Sequence, residues 1–388
     1  MGVFSDTGVS ISVQDTLPKG RGYLYPFTDE IASWTHTSAA IGGYMSATCQ
    51  INQSQNYIDE WLENGLGRWI TLYDEGGNIC WRGFVDQIDA NIAGLKITRG
   101  PLTGITNRVH MVYSAMDTST LPPTMGVRAT TGQTNDTASQ AIYGIWQKVL
   151  SCGGTTAADA AVLQRLYLGE HAQPETTKTL TLSGGSLSMT LQLKGAWSWL
   201  NAYIANFAGV VDTVDLSTRL IAILALDAAI NAVISTDVSH ITANAYQVKA
   251  NSEDDKVAQK YIMELLTPGD GTAAGIRYTA GFYDEEVMYY APVPSSLEYT
   301  FSLSDTAQEV TYLSGVPVRP WDVMPARWLQ ISDLMIGRVP DVDLKDDPRN
   351  IFIESISYQA PYGLTLNGSK AGSLAQVVAQ MGLSGIGG

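Results

Sequence analysis

The run RWITLYDEGGNICWRGFVDQID, residues 68–89, decides the fold class. Arg68 to Tyr73 and Ile79 to Asp89 are rich in aromatic and branched apolar residues, and Asp74-Glu75-Gly76-Gly77-Asn78 between them are turn formers. Two such runs around a Gly-rich turn predict a β-hairpin. Upstream, Met45, Ala47, Cys49 and Ile51 alternate with Ser46, Thr48 and Gln50, the mark of a half-buried strand. Tyr57, Trp61 and Leu62 fall at helical spacing in a short helix that ends at Gly65. Downstream, Leu95 and Ile97 alternate, then Val109, Met111 and Tyr113. About five short strands within about 75 residues predict a small barrel or sandwich.

The rest of the chain alternates between helical and strand-like patterns. Residues 115–137, with Pro122-Pro123, Gly126, Gly132 and many Thr, predict a loop at a domain boundary. Asn135 or Asp136 is a candidate N-cap for a helix with Ile142, Ile145, Trp146, Val149 and Leu150 on one face. Residues 156–168 predict a second helix, and Trp197, Leu200, Ile204 and Phe207 a third stripe. Strand-like pieces surround Leu180 and run from Leu187 to Leu193, and Gly209 to Leu216 also predicts a strand. After residue 240 β character returns. Ile276 to Tyr283 and Val287 to Ala291 flank Asp284-Glu285-Glu286 as a second hairpin, followed by strands at Leu297–Leu303, Glu309–Leu313, Trp328–Ile331 and Ile351–Tyr358. A closing helix carries Leu374, Val377, Val378 and Met381 before a glycine-rich tip. The expected fold is α+β and mainly β: a first small barrel over 1–115, an inserted α/β module over 116–216, a second barrel with a helical lead-in over 217–345, and a C-terminal strand, helix and tip over 346–388.

Composition narrows the function. The chain has 388 residues and a net charge of −15, with no basic stripe, which argues against sequence-specific DNA binding. Residues 251–350 hold 17 Asp/Glu against 8 Lys/Arg, while 1–115 hold 11 against 7. Tyr (19) and Trp (9) outnumber Phe (7), a bias that suits half-buried strands and subunit contacts. Cys49, Cys80 and Cys152 lack metal-ligand spacing and are expected to be buried thiols. Met1 to Ser12 shows no signal-peptide pattern. The longest apolar stretch, Leu220 to Ile234, contains Asp227 and Asn231 and is too short and polar to span a bilayer. A buried helix is expected there, with no membrane insertion.

Catalytic patterns are thin. His36, His110, His171 and His240 are isolated. Gly184-Gly185-Ser186-Leu187-Ser188 lacks the last glycine of a nucleophile elbow, and no phosphate loop precedes a helix. Glu253, Asp254, Glu285 and Glu286 are candidate paired carboxylates, but adjacent acids in turns are usually solvated. Asp341, Asp343 and Asp346 form a weak cation candidate, without the glycine at the sixth position and with Phe352 where a calcium loop needs Glu. No catalytic residue and no cofactor is expected.

Several runs resemble one family. Trp61-Leu62-Glu63-Asn64-Gly65-Leu66-Gly67-Arg68, Ile79 to Val85, Ile97-Thr98-Arg99-Gly100-Pro101-Leu102, Asn107-Arg108-Val109 and Tyr113-Ser114 are similar to the first barrel of tail hub proteins of tailed bacteriophages. Gly315 to Trp321, Asp347-Pro348-Arg349 and Tyr358 to Leu364 are similar to the distal part of siphophage-type minor tail proteins. The resemblance implies a homotrimer in which each subunit carries two related barrels, so that three subunits make a ring of six barrel-like units. It implies docking on a hexameric tail tube or distal tail protein, a tail fibre or tip protein below, and DNA only in transit through the channel. The protein would then reside in the virion tail tip after synthesis in the host cytoplasm. An acidic lining would repel the passing phosphates.

Within those runs, Gly83 and Gly100 are expected to permit turns or close backbone approach, and Pro101 to end a strand. Arg82, Arg99 and Arg108 are expected to pair with carboxylates between strands or subunits. Asn107 and Pro320 belong to the same structural runs, and Trp81 and Trp321 are expected as packing anchors. Two other readings stay open: a tail-associated enzyme that degrades cell wall, and a receptor- or carbohydrate-binding tail protein.

Overall fold

The computed structural model of the chain describes residues 2–14, 24–182, 185–205, 207, 210, 212–227, 232–249, 256–271, 276–303, 309–334, 343–344 and 346–369. The chain is mainly β with a smaller helical share.

In the first third, β1 (Ser10–Gln14), β2 (Leu24–Pro26), β3 (Ile31–Ala39) and β4 (Ile41–Ile51) precede helix α1 (Gln55–Asn64). The hairpin β5 (Trp69–Tyr73) and β6 (Ile79–Ile92) and then β7 (Leu95–Arg99) follow. The hairpin turn closes on its own side chains: Asp74 Oδ1 accepts the Asn78 backbone N–H at 2.6 Å.

The middle third holds β8 (Arg108–Asp117), β9 (Thr124–Thr130), β10 (Thr134–Asn135), α2 (Thr137–Tyr143), β11 (Gln147–Thr155) and α3 (Ala157–His171). It continues with β12 (Thr176–Leu180), β13 (Leu187–Lys194), a 3-10 helix at Ala196–Ala202, β14 (Thr213–Asp215) and α4 (Leu216–Leu224). Next come β15 (Gln247–Lys249), α5 (Ala258–Leu266) and the hairpin β16 (Tyr278–Tyr283) with β17 (Val287–Pro292). The last part adds β18 (Leu297–Phe301), β19 (Val310–Tyr312), β20 (Trp328–Ile331), β21 (Asn350–Gln359) and β22 (Gly363–Ser369).

One 16-stranded sheet runs β19-β18-β20-β21-β3-β4-β13-β6-β5-β1-β2, with β7, β12, β16, β17 and β22 branching from it. The strands of the two chain ends, set apart as two barrels in the sequence, therefore share hydrogen bonds. β21 pairs antiparallel with β3, and β16 pairs parallel with β4. β13, read from the sequence as part of the insert, lies between β4 and β6. The parallel contact needs two glycines face to face. A Cβ on Gly43 would lie 2.2 Å from the Phe282 carbonyl oxygen, and one on Gly281 2.4 Å from the Gly43 nitrogen.

A second, smaller sheet of β8, β9, β10 and β11 carries α3 on one side. The chain leaves the large sheet after Arg99 and rejoins it at Thr176, and these two residues are direct register partners. The Gly100 N–H also donates to the Glu175 carbonyl at 2.9 Å.

The main core joins both ends of the chain: Trp34, Trp61, Trp81, Phe84 and Trp199 pack in one cluster with Phe282, Met288, Tyr290 and Trp321. The strands from β18 onward pack around a separate core of Tyr299, Val310, Val318, Val323, Leu329, Ile353 and Ile356.

Four helical or strand readings differ from the structure. The stripe Ile142 to Leu150 is not one helix: α2 stops at Tyr143, Gly144 takes φ +74°, and Gln147 onward is strand β11, parallel to β8. A left-handed glycine ends the helix, and the apolar residues after it face a sheet instead. The Trp197 stripe forms a 3-10 helix that ends at Ala202. Of Gly209 to Leu216 only Thr213–Asp215 is strand, Leu216 begins α4, and Gly209 lies outside the described residues. The helix expected over Leu220 to Ile234 ends at Leu224, and residues 228–231 lie outside the described residues. The closing helix with Leu374 to Met381 also falls outside them.

Candidate assembly surface

Several of the residues singled out in the sequence turn inward and brace the fold. Arg82, on β6, is buried among partners from three elements. Its Nε pairs with Glu286 in the β16–β17 turn, Nη1 donates to Thr71 Oγ1 at 2.8 Å, and Nη2 donates to Gln14 Oε1 at 2.9 Å. The guanidinium also lies over Trp69, 5.4 Å from the ring centre. A charge this deep persists only when paired and hydrogen-bonded, so this contact ties the first hairpin to the second. A Cβ on the adjacent Gly83 would lie 2.4 Å from the Lys194 carbonyl oxygen of β13.

Arg99 meets no carboxylate among the described residues. Nη1 donates to the Leu62 and Glu63 carbonyls in the last turn of α1, and Nη2 to the Tyr143 hydroxyl at 3.1 Å. A cation on unpaired C-terminal carbonyls is favourable because of their exposed lone pairs and the helix dipole. Gly100 takes φ +111°, and Pro101 precedes a 3-10 turn at Leu102–Gly104 once β7 has ended. Arg108 pairs with Asp227 at 2.9 Å and donates to Asn135 at 3.2 Å.

Asn107 is fully buried and satisfies three groups at once. Its amide nitrogen donates to Ser139 Oγ at 3.1 Å and the Gly144 carbonyl at 2.7 Å, and its oxygen accepts the Trp146 N–H at 2.8 Å. It fixes the break between α2 and β11 that helical spacing alone concealed. Asn107→Ala strands these buried groups and is expected to cost about 2–4 kcal/mol, measured as a shift in the urea midpoint with Trp fluorescence.

Trp81 and Trp321 are buried in an aromatic cluster. His36 stacks on Trp81 at 6.3 Å and meets Tyr358 at 5.1 Å, and Trp321 meets Tyr358 edge-on at 6.1 Å. His36 Nδ1 accepts the Trp34 indole N–H at 2.9 Å, and its Nε2 has no partner among the described residues. Burial holds the imidazole pKa down at about 3. The unfolded chain titrates near 6.5 and binds that proton more readily, so His36 makes stability fall as pH drops from about 6.5 towards 3, by up to about 1.4 kcal/mol per pH unit. The loss of denaturation midpoint between pH 7 and pH 4.5 is expected to be smaller in His36→Phe than in the parent.

Cys80 donates to Asp322 at 3.5 Å across the contact between the β5–β6 hairpin and the loop after Pro320. Burial pushes the Asp322 carboxyl up to about 6. Pro320 lines an opening together with Phe301, Leu329 and Leu364.

The chemical candidates do not converge among the described residues. Among the described residues no group of three or more His, Cys, Asp or Glu is placed to hold a metal ion. Asp343 and Asp346 sit in a turn in which the Asp343 carbonyl accepts the Asp346 N–H, while Asp347 is held by Arg349 at 2.6 Å. Asp341, Glu253 and Asp254 lie outside the described residues. Glu286 is the buried partner of Arg82, and Glu285 lies beside it in the turn.

What remains on the outside is apolar side chains and free strand edges. Residues 115–137, expected as a loop, are largely ordered: β8 and β9 form a ribbon whose end carries Leu121 (99% exposed), Met125 (67%) and Val127 (82%). The Pro pair and the Thr content hid this strand in the sequence. The apolar spacing of Met125 and Val127 was the available signal. β9 pairs only with β8, and β12 only with β7, so each leaves one edge unpaired among the described residues. Leu180 and Leu182 are exposed where β12 ends. Exposed edges beside exposed apolar groups are what an assembling subunit presents before it meets its neighbours.

No protein-family model matches the chain, and no curated protein matches it. Its fold is similar to that of the tail protein from Neisseria meningitidis MC58, at 7% identity and a TM-score of 0.45 over 93% of this chain and 96% of that one. It is also similar to the 43 kDa tail protein of prophage MuSo2 from Shewanella oneidensis, at 8% identity and a TM-score of 0.42, over 93% and 96% of the two chains. Prophage tail protein gp18 from Listeria monocytogenes EGD-e aligns at 8% identity and a TM-score of 0.38, over 96% and 98%. All three are described as tail proteins, two of them from prophages.

Proposed function

We propose that the chain is the structural hub of a bacteriophage tail tip or baseplate. In this reading three copies form a ring that joins the hexameric tail tube or distal tail ring to the tip or fibre proteins, and the ring lines the channel through which DNA passes. The chain acts by holding shape and does no chemistry of its own. The observation that carries the reading is a continuous sheet built from strands of both chain ends, unpaired at β12 beside exposed Leu182, together with the unpaired β9 edge of the smaller sheet beside exposed Leu121, Met125 and Val127. Backbone groups on such edges gain partners when copies close into a ring. The quoted sequence runs, similar to those of tail hubs, supply the place in the virion.

Light scattering on the purified chain tests it. A mass of three chains is expected. Six chains would assign it to a ring above the hub, and a single chain at all concentrations would overturn the ring.

A further inference from the structure

One path through the large sheet has two free ends. The order β22-β21-β3-β4-β13-β6-β7-β12 is antiparallel at every step. Among the described residues β22 pairs only with β21, and β12 only with β7. The path has an even number of strands, so β12 and β22 run in opposite directions. Laid against β22 of another copy, β12 therefore continues the antiparallel alternation without a break.

Both ends also present the same face. Leu364 stands opposite Tyr358, and Tyr358 opposite His36. Two residues before His36, Trp34 starts a row that crosses Cys49, Leu191, Ile88 and Arg99 to reach Thr176. Register partners share a face of a sheet, as do residues two apart in one strand. Leu364 and Leu366 at one end thus lie on the same side as Thr176, Lys178 and Leu180 at the other.

The two ends are complementary in surface. Leu364 and Leu366 border an opening of about 940 Å³ with Phe301, Leu329, Ile331 and Ile351. All but Leu329 are only half-buried. On the far wall the segment after β19 folds back, with the Val318 N–H donating to the Val310 carbonyl at 2.8 Å, and Pro317 and Pro320 offer no N–H to a further strand. β22 contains no proline, so its edge is the one fit to receive a strand. At the other end every residue of β12 is exposed. Leu180 is 64% exposed and Leu182, just past the strand, 91%. Charge agrees as well. Glu309 lines the opening and Lys178 shares the Leu180 face, and neither has an ion-pair partner among the described residues.

We infer that β12 of one copy adds to the free edge of β22 of the next, with Leu180 and Leu182 entering the opening beside Leu364 and Leu366. The inference rests on the ring reading and names the contact that closes it. Each copy gives one end of its sheet and receives the other, a head-to-tail contact that leaves no edge of this path unpaired once the ring is complete.

Thr179→Cys with Thr365→Cys in the full chain tests the pairing. Both threonines are exposed and lie on the opposite face from the leucines. Rings assembled from equal amounts of light and isotopically heavy chains and treated with a short bismaleimide are expected to give linked 179–365 peptides with one light and one heavy half. Thr179→Cys with Leu163→Cys, on the exposed side of α3, is the control and is expected to give no link. Absence of the mixed peptide while light scattering reads more than one chain overturns this contact alone and leaves the ring standing. A single chain at all concentrations overturns both. A second variant, Leu180→Asp with Leu182→Asp, is expected to weaken association by about a hundredfold or more with the far-UV circular dichroism unchanged. Association as tight as in the parent equally overturns the contact.

Discussion

Arg82→Met is expected to lower folding stability by about 3–5 kcal/mol. The substitution keeps the length and the apolar stem of the side chain but removes the guanidinium from a buried Glu286 carboxylate, the Thr71 hydroxyl and the Gln14 amide. An ionised carboxylate left in an apolar interior without its counter-charge costs far more than the net worth of the original pair. The cost is the orphaned charge itself, so Arg82→Met combined with Glu286→Gln is expected to recover a large part of the loss. Urea or guanidinium denaturation of the four proteins of this cycle measures it. A double variant no more stable than Arg82→Met alone would show that the ion pair is not what couples the two hairpins.

The second large effect concerns assembly. If copies close into the proposed ring through this ribbon, Leu121→Asp, Met125→Asp and Val127→Asp together are expected to give single chains while leaving the denaturation midpoint of the chain in place. All three side chains are mostly exposed in the isolated subunit, so the fold loses almost nothing. Each would bury an apolar side chain worth about 1.5–3 kcal/mol at a contact, and 1.4 kcal/mol is a tenfold change in association. Losing the three should weaken copy-to-copy contact by at least about a thousandfold. Sedimentation or light scattering over a concentration series reads the result. An unchanged mass would place the contact elsewhere, with the edge of β12 the next candidate.

The parts of the fold written in local residue chemistry were legible in the sequence. The turn at Asp74 to Asn78, the helix ending at Gly65 and the hairpin around Asp284 to Glu286 all depend on neighbours a few residues apart. The α2–β11 break was not, because Ile142, Ile145, Trp146 and Val149 satisfy helical spacing, and the decisive groups are the left-handed Gly144 and a side chain from Asn107. Strand order was hidden for the same reason. Nothing near Leu187 announces that it will separate β4 from β6, and nothing near Arg82 names a partner 204 residues away. Arg99 was expected to meet a carboxylate between strands or subunits, and within the chain it donates to carbonyls at the end of α1, acceptors that residue types in a sequence do not announce. The candidate surface was least legible, because exposure is a property of the finished packing and Leu121 looks like any loop leucine until the ribbon is built.

Arg99 and Thr176 stand opposite each other, so everything between them is a loop, in the topological sense, hung from a single doorway in the large sheet. Such an excursion can be exchanged for another of different length or content with little change in closure entropy, since that cost grows only logarithmically with length. A replacement must bring its own stopper, because Leu102, Ile105, Tyr143 and Trp146 belong to the main core, and it must replace the Arg108–Asp227 pair that ties the excursion to the chain beyond it. A lineage could therefore refit the outward-facing head of this subunit again and again while the frame that carries it stays untouched.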